Sequence, residues 1–237
     1  MIGRAPGKLD MPETWFRKLV RKRREKRLFA AADDRTIFDW IYRTNKWSDP
    51  ESVSGKGSNL TQTRNLRAEL PALLQRLEVK TLLDAPCGDF HWMQHTALAV
   101  DEYIGADIVP ALVDTNQTAH AAPGRRFVCL DLATDPLPSV DAILCRDCLV
   151  HLDLATMARV IDNIRASGSR YLLTTSHRRQ QGYVDKLTGK HRLVNLEGPP
   201  FDWPPPIDAI VENLPPSGKD TGKILGVWRV ADIRAPG

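Results

Sequence analysis

The sequence predicts an α/β fold built on a mainly parallel sheet. Three observations carry that prediction. Short apolar segments alternate with helix-compatible spans through the middle of the chain, the pattern of strand–helix–strand units. The first apolar segments recur about 20–25 residues apart, the length of a compact crossover. The chain then changes character and finishes with two strand candidates that read as an antiparallel pair at one edge of the sheet.

In order, the elements begin with a basic segment. Residues 1–30 hold ten Lys or Arg against three acids, a local charge of +7, which leaves −3 for the remainder of a chain of net charge +4. The run RKLVRKRREKR (Arg17–Arg27) supplies eight of the ten. Such an arm, set at residues 1–35, suits nucleic acid, an anionic membrane surface or a phosphorylated partner, or is simply a solvated helix. Thr36–Trp47 places Ile37, Phe38, Trp40 and Ile41 on one helical stripe,. DPESVSGKGSNLTQT reads as a loop, and its SVSGKGS portion (Ser52–Ser58) lacks the full phosphate-loop pattern,. It is expected to fold over a ligand. A helix over Arg64–Leu77 presents Leu66, Leu70, Leu73, Leu74 and Leu77 on one face, with Pro71 able to kink or divide it,.

Strands are predicted at Thr81–Leu83, Glu102–Ala106, Arg126–Cys129, Ala142–Cys145 and Arg170–Thr174. Helices are predicted near Met93–Ala99, Ala111–His120 and Leu154–Ala166. EGPPFDWPPP is a proline-rich elbow, whose Phe201 and Trp203 either wall an acceptor pocket or stiffen a crossover,. The closing strands, Ile207–Val211 and Lys223–Val230, are joined by LPPSGKDTG. No repeat or second boundary interrupts residues 36–237, which read as one domain.

Composition narrows the function classes. With 42% hydrophobic and 26% charged residues in 237, the chain is ordinary for a globular protein,. No run of about 18 apolar residues is present to span a membrane, and the first residues lack the apolar core of a secretory signal,. A cytoplasmic protein is expected. Cysteines stand at 87, 129, 145 and 148, and the lone CRDC has no partner pair at zinc-site spacing,. Four free thiols and no metal are expected.

In an open α/β sheet, ligands sit beyond the carboxyl ends of the strands. There this sequence places Asp84 and Gly88 after the first strand, Asp107 after the second, Asp131 after the third and Arg146-Asp147 after the fourth. Each aspartate can serve as a turn or cap residue. As a set they suit a charged amino-acid nucleoside. Gly88 would let backbone approach the ligand. Asp107 would accept both ribose hydroxyls, Asp131 an adenine amino group, and Asp84 an ammonium. Asp89 is either a further ligand or the cap of a helix starting near Phe90. A nicotinamide dinucleotide fits less well, because no G-x-G-x-x-G follows a strand and Asp89 would repel phosphates,.

The series LLDAPCGDF, YIGADIV, FVCLDL and DAILCRDCLVHL resembles the successive motifs of the class I S-adenosylmethionine-dependent methyltransferases. DAPCGDF keeps the acid and Gly88 but has Pro86 and Asp89 where glycines often stand. With WSDPESVSGKGSNLTQT and RNLRAELPALL, the chain further resembles bacterial methyltransferases associated with polysaccharide or natural-product biosynthesis. The resemblance implies a Rossmann-like, seven-stranded, mainly parallel sheet with one antiparallel edge strand, helices on both faces and an N-terminal helical extension. It implies S-adenosylmethionine as cofactor, held by Asp84, Pro86, Gly88, Asp107, Ile108, Asp131, Leu132 and Arg146. The expected reaction is O-methylation of a hydroxylated small molecule.

Methyl transfer benefits from alignment and from a base near a hydroxyl acceptor. The order of candidates is His151, Asp147 and His177. Asp147 and His151, four residues apart, would share a face if their segment is helical, and the carboxylate could then orient the imidazole. His91 is a further histidine beside the cofactor turn. Arg146 could instead pair with an acid or neutralise an anionic substrate. Two alternatives stay open: a nucleic-acid or protein methyltransferase recruited by the basic arm, and a non-catalytic module that binds the cofactor.

Overall fold

The structure, a computed structural model, describes residues 15–212 and 221–237. Helices α1 (Trp15–Ala31), α2 (Asp34–Arg43) and α3 (Arg64–Arg76) precede β1 (Thr81–Asp84) and β2 (Glu102–Asp107). Then follow α4 (Pro110–His120), β3 (Arg125–Cys129), β4 (Ala142–Cys145), α5 (Leu154–Ala166) and β5 (Tyr171–His177). The chain ends in β6 (Asp208–Val211) and β7 (Lys223–Arg229). Most of the LPPSGKDTG connection lies outside the described residues.

The seven strands form one sheet in the order β3-β2-β1-β4-β5-β7-β6. Strands β1 to β5 are parallel. β7 runs antiparallel to both β5 and β6. The reversed strand therefore lies one position in from the edge, which β6 occupies.

Alternation along the strands divides the apolar residues between two layers. Leu82, Tyr103, Leu144 and Leu173 pack with Leu66, Leu70, Leu73 and Leu74 of α3 and Val113 of α4. Leu83, Ile104, Ile143 and Leu172 face the other way and pack with Met157, Val160, Ile161 and Ile164 of α5. Helices thus cover both faces. α5 starts where the Asp153 carboxylate accepts from the Thr156 N–H at 2.8 Å, a side-chain cap. Pro71 lies inside α3 without dividing it.

Two elements differ from the sequence reading. Met93–Ala99 forms only a single 3-10 turn at Met93–His95. The backbone of Phe90 stands at φ +56° where that helix would begin, and Asp89 does not cap it. Phe201 and Trp203 are buried in the core beside α5, away from any acceptor site, and the Trp203 indole N–H donates to the Arg234 carbonyl at 2.7 Å.

α1 is amphipathic. Phe29 is buried with Ile37 and Ile41 of α2, and Glu25 is buried beside it. Lys22, Arg23, Arg24, Lys26 and Arg27 are exposed. Among the described residues, no helix is long and apolar enough to cross a membrane.

Candidate active site

Strand order reverses at β1: β2 and β3 continue to one side of it, β4 and β5 to the other. Neighbouring crossovers diverge there and leave a crevice past the strands' carboxyl ends. A cavity of about 680 Å³ occupies it, within the usual range for small-molecule sites. Its lining includes Asp84, Pro86, Gly88, Asp107, Ile108, Asp131, Leu132, Arg146, Asp147, His151 and His177. Of the candidate ligands and bases singled out from the sequence, all meet at this one cavity except Asp89 and His91. The His91 imidazole lies 3.5 Å from the Glu51 carboxylate.

One end of the cavity is acidic. The Asp84 carboxylate is buried and accepts the Tyr103 hydroxyl at 2.5 Å. Burial pushes Asp84 up to about 7, against the lowering effects of that bond and of Arg146. Asp107 is pushed up to about 6, again by burial first. Its two oxygens accept from the Gly88 and Val109 N–H groups, each at 3.1 Å, and the Ile108 N–H adds to them. Asp131 accepts from the Ala133 N–H at 2.8 Å, an Asx turn at the end of β3,.

Gly88 has a different reason from the one its sequence position suggests. At φ +55°, a Cβ there would stand 2.2 Å from the Ser54 hydroxyl oxygen. What approaches the glycine is the protein's own loop. Asp89 fixes that loop: its carboxylate accepts from Ser52 Oγ, the Val53 N–H and Ser54 Oγ at 3.0, 2.9 and 3.2 Å. So Asp89 neither caps a helix nor lines the cavity. Through it, Val53–Ser58 becomes part of the cavity wall.

The centre is held by a four-membered ionic network. Arg146 Nη2 donates to Glu212 Oε2 at 2.6 Å and to the Gly57 carbonyl at 2.8 Å. It also lies 3.2 Å from Asp147 Oδ2. Lys223, at the start of β7, reaches Asp147 at 2.8 Å and Glu212 at 3.0 Å. Burial would raise the Asp147 carboxyl, but the Arg146 and Lys223 charges hold it well below the usual range. Asp147 itself sits at φ +50°, a strained setting for a non-glycine residue.

This arrangement overturns the expected Asp147–His151 pair. The segment is a short 3-10 turn, Leu149–His151, and the Asp147 carboxylate is engaged by Lys223, Arg146 and Thr175. His151 Nδ1 is buried without a hydrogen-bond partner among the described residues. The ring lies 5.0 Å from that of Trp47 and 5.4 Å from that of His191. Burial first, then His191, lowers His151 to about 4. His177 is lowered to about 4 as well, chiefly by burial and Lys223, but its Nδ1 is within 3.3 Å of the Val194 carbonyl.

Trp47, His191 and Lys223, which also line the cavity, were not identified from the sequence. Neither was Glu212. Cys87, Cys145 and Cys148 are buried and Cys129 exposed, all as free thiols.

The fold is similar to that of solved methyltransferase structures. One similar structure is magnesium protoporphyrin IX methyltransferase (ChlM) from Synechocystis PCC 6803 with bound SAM. The two share 16% identity over 86% of this chain and 99% of that one, with a TM-score of 0.53. Another is the methyltransferase domain of bacterial CtHen1, at 11% identity over 72% and 100% of the two chains and a TM-score of 0.51. At these identities the likeness defines the fold. No family model and no curated protein sequence matches the chain.

Proposed function

We propose that this chain is an S-adenosylmethionine-dependent methyltransferase acting on an oxygen of a hydroxylated small molecule such as a sugar, glycan end or natural product. The observation that carries the reading is one cavity lined both by two buried acids and by a buried imidazole nitrogen, the acids forming no ion pair and the nitrogen no hydrogen bond among the described residues. Carboxylates raised by burial are sites that a cationic ligand would recharge.

The residues fit the cofactor. Asp107 would accept the ribose hydroxyls, Asp131 and Leu132 would border the adenine, and Asp84 would face the ammonium. Pro86, Gly88 and Ile108 supply close, uncharged walls, and Arg146 anchors the covering loop through Gly57. When bound, this group supplies a methyl carbon activated by a sulfonium.

The acceptor's hydroxyl would donate to His151 Nδ1, which is neutral near pH 7 and unpaired. His177 ranks behind it because its Nδ1 is already engaged. Asp147 is a positioning residue that keeps Lys223 and Arg146 in place. The Trp47 ring and the Val53–Ser58 loop would exclude water from the reacting atoms.

Calorimetric titration with S-adenosylhomocysteine tests the reading. Wild type should bind, and Asp107→Ala should weaken binding by about 100-fold or more, the loss of two charge-assisted hydrogen bonds at about 1.5–3 kcal/mol each. A folded wild type that does not bind would overturn the assignment.

A second reading is supported by α1, whose exposed Lys22, Arg23, Arg24, Lys26 and Arg27 suit an anionic polymer or surface,. Exchanging those five for Gln is the cleaner test, since deleting residues 1–30 would also remove the buried Glu25 and Phe29. A macromolecular acceptor predicts activity that falls steeply with salt and with this exchange.

A further inference from the structure

We infer that the acceptor carries an anionic group, a carboxylate or phosphate, that docks against Lys46 and Lys190 while its hydroxyl faces His151. This rests on the methyltransferase reading above and concerns the part of the cavity around His151.

Glu25 of α1 is 4% exposed. One of its carboxylate oxygens lies 3.0 Å from Lys46 Nζ, and the other pairs with Lys190 Nζ. Two ammonium groups are thus held across a single carboxylate, one unit of positive charge in excess. A structural rivet for α1 needs only one lysine. Both lysine side chains are over a third exposed and line the cavity, so the surplus charge faces its open space.

Both are tied to the wall around His151. Lys190 follows Gly189, whose N–H donates to the His151 carbonyl at 2.7 Å, and Lys46 precedes Trp47, whose ring lies against the His151 ring. The other charges along the cavity do not cancel the excess. Lys223 and Arg146 are balanced by Asp147 and Glu212. Lys56, exposed on the covering loop, adds the same sign. Asp34 is the opposing carboxylate, and its single charge offsets only one of these two positive charges. The cavity is therefore polarised, with acids at the donor end and a net cation beside His151. That pattern matches a cationic methyl donor and an anionic acceptor.

The test is a ligand-observed NMR titration of protein saturated with S-adenosylhomocysteine, using D-glucose, D-glucuronate and D-glucose 6-phosphate at low salt. One or both acidic sugars should bind about tenfold tighter than glucose, the scale of one charge-assisted hydrogen bond. The acid that gains more identifies the group. Lys46→Gln/Lys190→Gln should abolish the preference while retaining S-adenosylhomocysteine binding, and Glu25→Gln, which keeps both lysines, should strengthen it. Equal affinities, an acid preference that survives in the double variant, or no binding by either acidic sugar would overturn the proposal. Failure of wild type to bind S-adenosylhomocysteine would instead strike the methyltransferase reading.

Discussion

The acids at the end of β1 and β2 and those around Arg146 line or border the same crevice, yet they behave in opposite ways. Among the described residues neither Asp84 nor Asp107 forms an ion pair, and desolvation raises both, Asp84 against the weaker pull of Arg146. Asp147, whose side chain is 25% exposed, is held low because Arg146 and Lys223 outweigh the raising effect of burial. Burial alone does not decide a carboxylate's charge; the company it keeps does. A cationic ligand would complete the first pair, whereas the charges of the second set already balance one another and serve as framework.

Three experiments would break or sharpen that contrast. The largest effect is expected on the framework side. Glu212→Gln leaves Arg146 and Lys223 with one carboxylate between them, and should cost about 3–5 kcal/mol, read as a lower urea midpoint at unchanged slope. A loss below about 1 kcal/mol would mean that the network is effectively solvated.

On the other side the sign reverses. Because Asp84's carboxyl is raised from 3.8 to about 7, its contribution to stability is intact below about pH 4. That contribution is lost as pH rises towards 7, where ionisation in the folded state lags behind the unfolded chain. Asp84→Asn should remove this decline and stabilise the ligand-free protein by a few kcal/mol at pH 8 relative to pH 5. Thermal unfolding across that range checks it, and a parallel pH profile for the two proteins would show that Asp84 is already paired. The same variant should bind S-adenosylmethionine more weakly, so stability and affinity would move in opposite directions.

The smallest effect is local. Gly88→Ala sets a methyl against Ser54 Oγ at a left-handed backbone position. It should cost about 1–2 kcal/mol and loosen the Val53–Ser58 wall, seen as faster amide exchange there. No change would mean that Ser54 can rotate aside.

What could be read from the sequence follows the same division. Asp84, Asp107 and Asp131 each end an apolar run, so strand and ligand position come from one local pattern. The predicted strand limits fall within a residue of those observed, except β5, which extends to His177. Lys223 and Glu212 carry no such signal. They meet Arg146 only because β7 enters the sheet antiparallel between β5 and β6, a pairing set by packing of distant segments. Asp89 shows the local limit. An aspartate before a turn reads as a cap, and only the fold reveals that the loop 35 residues earlier has claimed its oxygens.

The placement of β7 has a consequence for synthesis. Arg146 and Asp147 emerge from the ribosome well before Glu212 and Lys223. The nascent chain can lay down β1 to β5 while one cation and one anion at its centre still lack their counterparts. The same late strand closes the sheet and completes the network. Folding as it is made, this protein finishes its pocket only with its last strand, and a translation product halted before residue 223 would hold the binding half of the site without its framework.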